Sequence, residues 1–166
     1  MKRMDYLETD TANCSLGRTV ELVGQPWVVL ILREVVWGVR RFSDMQAHMG
    51  VSKSVLSDRL DHLVEHGVLE RRDYQQPGQS KRFEYHLTPK GADLYPVLTA
   101  LRQWGDKYLV GKGNEPVLLR HETCGHRTTA HLACDHCGEK LAPRDATVYA
   151  GPGYPDDALR PPALRD

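Results

Sequence analysis

The chain has 166 residues, 40% hydrophobic and 27% charged, the balance of one globular domain of ordinary size plus a small appendage. Lys and Arg number 22 and Asp and Glu number 22, so no overall charge excess points to nucleic acid, and local clustering must carry any such argument. The longest apolar run, residues 27–36, is interrupted by Arg33 and Glu34 and falls short of the ~20 residues of a membrane helix. The first ten residues lack a signal peptide's apolar stretch, so a cytoplasmic protein without a membrane partner is expected.

In chain order, residues 1–12 read as a polar lead-in. Leu16, Val20 and Val23 fall on one face of a helix over 15–23. A second helix, about 26–37 with Pro26 in its first turn, is apolar almost all round and should be the buried centre of a small domain. Ser43 and Gln46 have the spacing of a capping box, opening a short helix that stops at Gly50. Ser52 then caps a helix running to about His66, with Leu56, Leu60, Leu63 and Val64 as its inward stripe and Lys53, Ser54, Ser57, Asp58 and Asp61 opposite.

After Gly67 the period changes to about 2. Residues 68–72 and 82–87 read as strands around a turn-rich loop, 75–80. Thr88 and Pro89 open a long helix to about 109, bent by Pro96, with Leu94, Leu98, Leu101 and Tyr108 as its stripe and Trp104 beside it. Residues 111–114 read as a linker, 117–150 as a small second unit, and 151–166, with four prolines, as a flexible tail. No internal repeat is evident.

Two capped helices meeting at Gly50, followed by a hairpin and a long helix, are the order of a winged helix-turn-helix. Such a corner lets its second helix enter a major groove while the hairpin reaches the backbone. Small polar residues at the start of that helix allow close approach, and Arg71, Arg72, Lys81 and Arg82 against Asp73 make residues 71–82 locally +3. Arg40 and Arg41 precede the corner. The competing reading is a winged-helix protein-interaction module with a metal-bearing tail. An apolar outer face on the helix 52–66 would have favoured it. No nucleophile–base constellation or phosphate-binding glycine loop stands out, so an enzyme is not expected.

Cys14-Ser15-Leu16, Leu22-Val23-Gly24, Trp27, Leu30-Ile31-Leu32-Arg33, Gly38 to Asp44, Val51 to Leu60, Gly67 to Arg72, Arg82 to Tyr85, and Leu87 to Gly91 together resemble the HxlR-type winged-helix transcriptional regulators. The likeness covers about residues 13–109, extending through Trp104-Gly105-Asp106. It implies a homodimeric regulator of double-stranded DNA, a repressor or an activator, with the first and last helices forming the dimer. Carried onto this chain it assigns Ser52, Lys53, Ser54, Ser57 and Arg59 as readers, with Arg41, Lys81, Arg82 and the other hairpin bases near phosphates. Uncovered stripes on the first and last helices support the dimer independently. The expected fold is α+β, mainly α. It comprises a winged helix-turn-helix domain over 13–110 with a two-stranded wing and dimerisation helices at both ends, and a small zinc ribbon-like unit over 117–150.

His121 and Cys124, then Cys134 and Cys137, form two pairs with two residues inside each, and each second cysteine is followed by glycine. That spacing suits two knuckles holding one structural Zn²⁺ through one histidine and three thiolates. His126 competes with His121 for the fourth place. A redox pair of Cys134 and Cys137, or ordinary thiols, remain the alternatives. Cys14 lies just ahead of the first helix. In the resembled family some such cysteines act as thiol switches, and a helix N-terminus favours thiolate; otherwise it packs as a small apolar residue at the dimer seam. A small-molecule or redox effector is thus a further candidate partner.

Overall fold

The computed structural model describes residues 14–74, 82–149 and 151–153. The expected lead-in, the loop 75–80, Lys81 and most of the tail lie outside the described residues. The chain divides into two compact units: residues 22–130, and a second one made of the residues up to 21 together with those from 131 onward.

The larger unit holds the core. After α1 (Ser15–Val23), α2 (Val28–Val36) places Val28, Ile31, Leu32 and Val35 in the interior. Its start differs from expectation. The amide N–H of Val28 donates to the Gln25 carbonyl, and Trp27 adopts a left-handed φ of 75°, so Pro26 sits in the preceding turn and not inside the helix. Helix α3 (Phe42–Met49) supplies Met45, and α4 (Lys53–Glu65) supplies Leu56, Leu60 and Leu63, all fully enclosed. The strands β1 (Leu69–Tyr74) and β2 (Arg82–Leu87) pair antiparallel in the register Leu69 opposite Leu87 to Tyr74 opposite Arg82. Val68, Leu69 and Tyr85 close the core at the hairpin's base.

The capping box at Ser43 is not formed. Arg41 is the N-cap residue of α3 without a side-chain cap, and Ser43 Oγ donates to Asp44 Oδ1 at 3.1 Å. Pairing with the sheet sets the helix start instead: Arg41 bridges Glu84, and the Tyr85 N–H donates to the Arg40 carbonyl at 2.9 Å. The caps at Ser52 and Thr88 are formed, their hydroxyls accepting from the N–H groups of Val55 and Gly91.

The expected long helix is interrupted, not bent. It runs as α5 (Pro89–Ala92), a turn at Asp93 and Leu94, then α6 (Tyr95–Gly105), which ends in one π-helical turn, Asp106–Val110. Pro96 has no N–H to donate to the Ala92 carbonyl and its ring would crowd that oxygen, so the helix stops and restarts with Pro96 in its first turn. Restarting also changes which stripe faces in. Leu94 and Leu98 pack on the core and Thr99 is buried, whereas Val97, Leu101, Trp104, Tyr108 and Leu109 are exposed.

Beyond Thr99 no described residue is buried. Two short strands, β3 (Leu119–Arg120) and β4 (Arg127–Thr128), pair antiparallel. In the smaller unit Ala133 bridges Lys140, followed by a 3₁₀ turn, Pro143–Asp145. No helix among the described residues is long and apolar enough to cross a membrane.

Candidate nucleic-acid interface

Gly50, with φ 65°, turns the chain between α3 and α4 in a conformation that residues with a β-carbon rarely adopt. The apolar stripe of α4 faces the core, which leaves Ser52, Lys53, Ser54 and Asp58 exposed and Ser57 half-buried on the outside. The first turn of α4 holds no acidic residue, so its positive dipole end is unopposed. Arg59 departs from the expected reading set: it is half-buried, and its Nε donates to the Pro26 carbonyl at 3.3 Å. It braces the turn before α2.

The hairpin's positive charge is largely paired within the protein. Arg71 reaches Asp61 on α4 and lies over the Tyr85 ring at 5.9 Å. The Tyr85 hydroxyl, foremost, and the Asp61 carboxylate hold its pKa above the ordinary arginine range. Arg72 Nε donates to Glu70 at 2.8 Å. Arg41 Nε donates to Glu84 at 3.1 Å, and that bond lowers the carboxyl pKa of Glu84. Lys53 and Arg82 are exposed and form no ion pair among the described residues. Lys81 lies outside the described residues. Thus the count of +3 over residues 71–82 overstates the charge available to a phosphate, because Arg71 is matched by Asp61 on α4 and Arg72 by Glu70 on its own strand.

One residue of consequence escaped the sequence reading. Glu34, on the central helix α2, is 1% exposed yet ionised. Burial pushes its pKa up, but hydrogen bonds from His48 on α3 and from Arg33 outweigh that and leave it lowered. His48 Nδ1–H donates to Oε2 at 2.6 Å, tying the centre of the core to the first helix of the corner.

The cysteine pairs turn out to be two copies of one loop. The His121 N–H donates to the His126 carbonyl, and the Gly125 N–H to the His121 carbonyl. Thirteen residues on, the Cys134 N–H donates to the Glu139 carbonyl and the Gly138 N–H to the Cys134 carbonyl. Gly125 and Gly138 have φ of 72° and 74°. Arg120 pairs with Arg127 around the first loop as Ala133 does with Lys140 around the second. His121 Nδ1 lies 3.3 Å from Cys124 Sγ, while His126 Nδ1–H donates to the Cys124 carbonyl at 2.7 Å. Backbone N–H groups of Cys137 and His136 lower the Cys134 thiol pKa. No group of three or more His, Cys, Asp and Glu among the described residues stands in the arrangement of a metal site. Cys14 is half-buried and unpaired with other cysteines, and the Gly17 N–H points at its sulfur at 3.5 Å.

The profile of the HxlR-like helix-turn-helix family matches residues 22–112. The chain belongs to the HxlR-like family. An uncharacterized HTH-type transcriptional regulator of Mycobacterium tuberculosis is 44% identical to this HxlR-like chain over 140 residues, covering 84% of the chain and 87% of the relative. One from Synechocystis is 36% identical over 110 residues, covering 66% and 80%. The solved structure of PA1607, a candidate transcription factor, superposes on the HxlR-like chain with a TM-score of 0.74 at 33% identity, over 84% of this chain and 96% of that one. PA1374 of Pseudomonas aeruginosa, another candidate transcription factor, gives 0.60 at 32% identity, over 88% and 98%. The HxlR-like chain is therefore a DNA-binding transcriptional regulator of the winged-helix class.

Proposed function

We propose that this regulator is a homodimeric repressor that reads a specific operator with α4 in the major groove and grips phosphates with its wing. The observation that carries the reading is the outer face at the start of α4. Ser52, Lys53 and Ser54 are exposed, Ser57 stands beside them, and no acid intrudes on that first turn. Small hydroxyls there admit a base edge, and Lys53 and Arg82 supply phosphate contacts from either side of the corner. Arg41 and Arg71 reach phosphates only by sharing or releasing Glu84 and Asp61. The polar character of this face argues against the protein-interaction module, which needs an apolar surface there.

The dimer rests on apolar side chains of α6 and its π turn that nothing else in their own unit covers: Leu101, Trp104 and Tyr108 are 53%, 57% and 60% exposed. A two-fold dimer sets two reading helices one or two DNA turns apart, and occupying both half-sites blocks access to the duplex, the action of a repressor. The test uses DNA flanking the protein's own coding region in footprinting and anisotropy. Protection of a two-fold site is expected, and Leu101→Asp with Trp104→Asp should give monomers in sedimentation and weaker operator binding. Protection absent from every flanking segment, or a dimer that ignores both substitutions, overturns the reading.

The repeated loop supports the proposal of a structural Zn²⁺ held by His121, Cys124, Cys134 and Cys137. Each loop presents two ligand side chains from a glycine-closed turn, N–H groups favour thiolate at Cys134, and no described residue of 117–150 is buried to supply cohesion. His121, whose Nδ1 lies 3.3 Å from Cys124 Sγ, takes the fourth place in this reading, and His126, whose Nδ1–H donates to the Cys124 carbonyl and leaves Nε2 open, is its competitor. Elemental analysis of protein purified without chelator should find about one zinc per chain, and Cys134→Ser should lose it and open 117–150 to proteolysis. Metal-free protein that resists proteolysis there refutes the site, and a mass two hydrogens lower identifies the Cys134–Cys137 disulfide instead. Cys14 carries no sensing role in this reading, because the contact at its sulfur among the described residues, from the Gly17 N–H, is equally that of a packed thiol.

A further inference from the structure

Between α2 and α6 lies a cleft of about 230 Å³ whose walls are apolar: Val29, Leu30 and Val36 on one helix, Leu98 and Leu101 on the other. Trp37 and Tyr95 flank it, each more than two-fifths exposed. An apolar cavity of about 150 Å³ takes up a benzene ring, so this space admits a substituted ring or a bicyclic one.

The charge of the lining decides what kind. Its charged members are two arginines, Arg33 and Arg102, one from each helix, and no acid among the described residues lines the space. Arg33 spends Nε and Nη2 on Glu34, and Arg102 spends Nη1 on Asp106 and the Val117 carbonyl. Each guanidinium therefore keeps unused N–H donors among the described residues. An apolar slot between aromatic rings, with two such forks at its edge, is complementary to a flat hydrophobic body bearing one carboxylate.

Arg33 links the cleft to the DNA-reading corner. It pairs with the buried Glu34, whose other oxygen accepts from His48 on α3. A carboxylate that draws Arg33 away leaves Glu34 held by His48 alone, and the seating of α3 on the core changes with it.

We propose that the cleft between α2 and α6 is an effector site for small aromatic acids, whose binding at Arg33 and Arg102 is relayed through Glu34 and His48 to the corner. The relay rests on the reading of the chain as a DNA-binding regulator; occupancy of the cleft does not. The first experiment therefore omits DNA. Calorimetry of the full-length dimer with 1-naphthoate should show one saturable site per chain with a Kd near 10⁻⁴ M or tighter, about what a ligand of this size achieves. Val29→Trp, which fills the cleft, should abolish it. Arg102→Gln and Arg33→Gln should each weaken naphthoate about tenfold or more and leave the neutral 1-naphthalenemethanol unchanged. The second experiment adds naphthoate to the protein–operator complex. Affinity should fall at least about fivefold. His48→Gln, at an exposed position, should keep naphthoate binding and lose the response. Absence of saturable binding, or binding indifferent to Val29→Trp, overturns the site; if Val29→Trp also breaks the dimer, the second copy occupies the cleft instead. Binding without any change in operator affinity overturns the relay. A chain that binds naphthoate and no flanking DNA contradicts the proposed function and leaves the site standing.

Discussion

Gly91 sits where α5 crosses the start of β1, and replacing it with alanine should be costly for a reason that helix propensity would reverse. An added β-carbon would lie 2.2 Å from the Val68 carbonyl oxygen, 3.0 Å from Leu87 Cδ2 and 3.2 Å from the Val68 carbonyl carbon. A carbon tolerates that oxygen at about 3.3 Å, so the backbone must part by about 1 Å. The same oxygen accepts the Thr88 N–H at 3.1 Å, and the Thr88 hydroxyl, which donates to the neighbouring Gly67 carbonyl, lies 3.2 Å away; a shift of that size loosens this anchorage. Overpacking contributes about 1–3 kcal/mol and the weakened hydrogen bonds about 1 kcal/mol. Alanine's helix preference returns about 1 kcal/mol. The net is a destabilisation of about 2 kcal/mol, or a Tm lower by about 8 °C for a body of this size. Thermal melts at fixed protein concentration measure it. The internal control is Gly105→Ala in α6, where an added β-carbon meets nothing within 4 Å and the Tm should rise slightly. A Gly91→Ala protein that melts with or above the wild type would refute the packing argument.

The hairpin gives a second test. Arg82→Ala should flatten the salt dependence of DNA binding by about one unit in the log–log slope, and Arg72→Ala, whose guanidinium is already paired with Glu70, should flatten it less. Equal slopes for the two variants would mean that the internal pair dissolves on DNA. Removing the α4 cap with Ser52→Ala should cost about 1 kcal/mol in urea unfolding, and an unchanged midpoint would show the cap to be idle. Because the Glu34 pKa is lowered in the folded protein, its contribution to stability is complete above its ordinary value of 4.5 and drains away as the pH falls below that. Urea midpoints taken from pH 6 down to pH 3.5 should therefore drop more steeply for wild type than for Glu34→Gln; parallel curves would disprove it.

The corner was legible because its signals are local: the α4 stripe, the Ser52 cap and Gly50 each act within a turn of the chain. The parts that were not legible depend on partners far away in sequence. Ser43 has the spacing of a cap, but the bridge from Arg41 to Glu84 starts the helix two residues earlier. Arg71 counts as free positive charge until the fold brings Asp61 of α4 beside it. Glu34 looked like an interruption in an apolar run, and the approach of His48, added to the pairing with Arg33, explains a carboxylate at the centre of the core. Gly91 read as part of a motif, while its reason is a carbonyl 23 residues earlier in the chain. The two cysteine loops were legible from their common spacing and glycine, but the matching backbone hydrogen bonds that make them copies of one turn were not.

The interruption ahead of α6 also works as an articulated joint. On one side α5 is fastened to the reading body, with the Thr88 hydroxyl donating to the Gly67 carbonyl at 2.7 Å and Lys90 Nζ to the His66 carbonyl at 2.8 Å. On the other side α6 is an arm of eleven residues, about 16 Å long at 1.5 Å per residue. A swing of about 10° at Asp93 and Leu94 moves the far end of that arm by about 3 Å, comparable to one base-pair step along B-DNA. In the proposed dimer, the angle at which two protomers present their reading helices would then be set at two residues, and a duplex with slightly altered half-site spacing would be met by adjusting the elbow, with the corner and the wing left as they are.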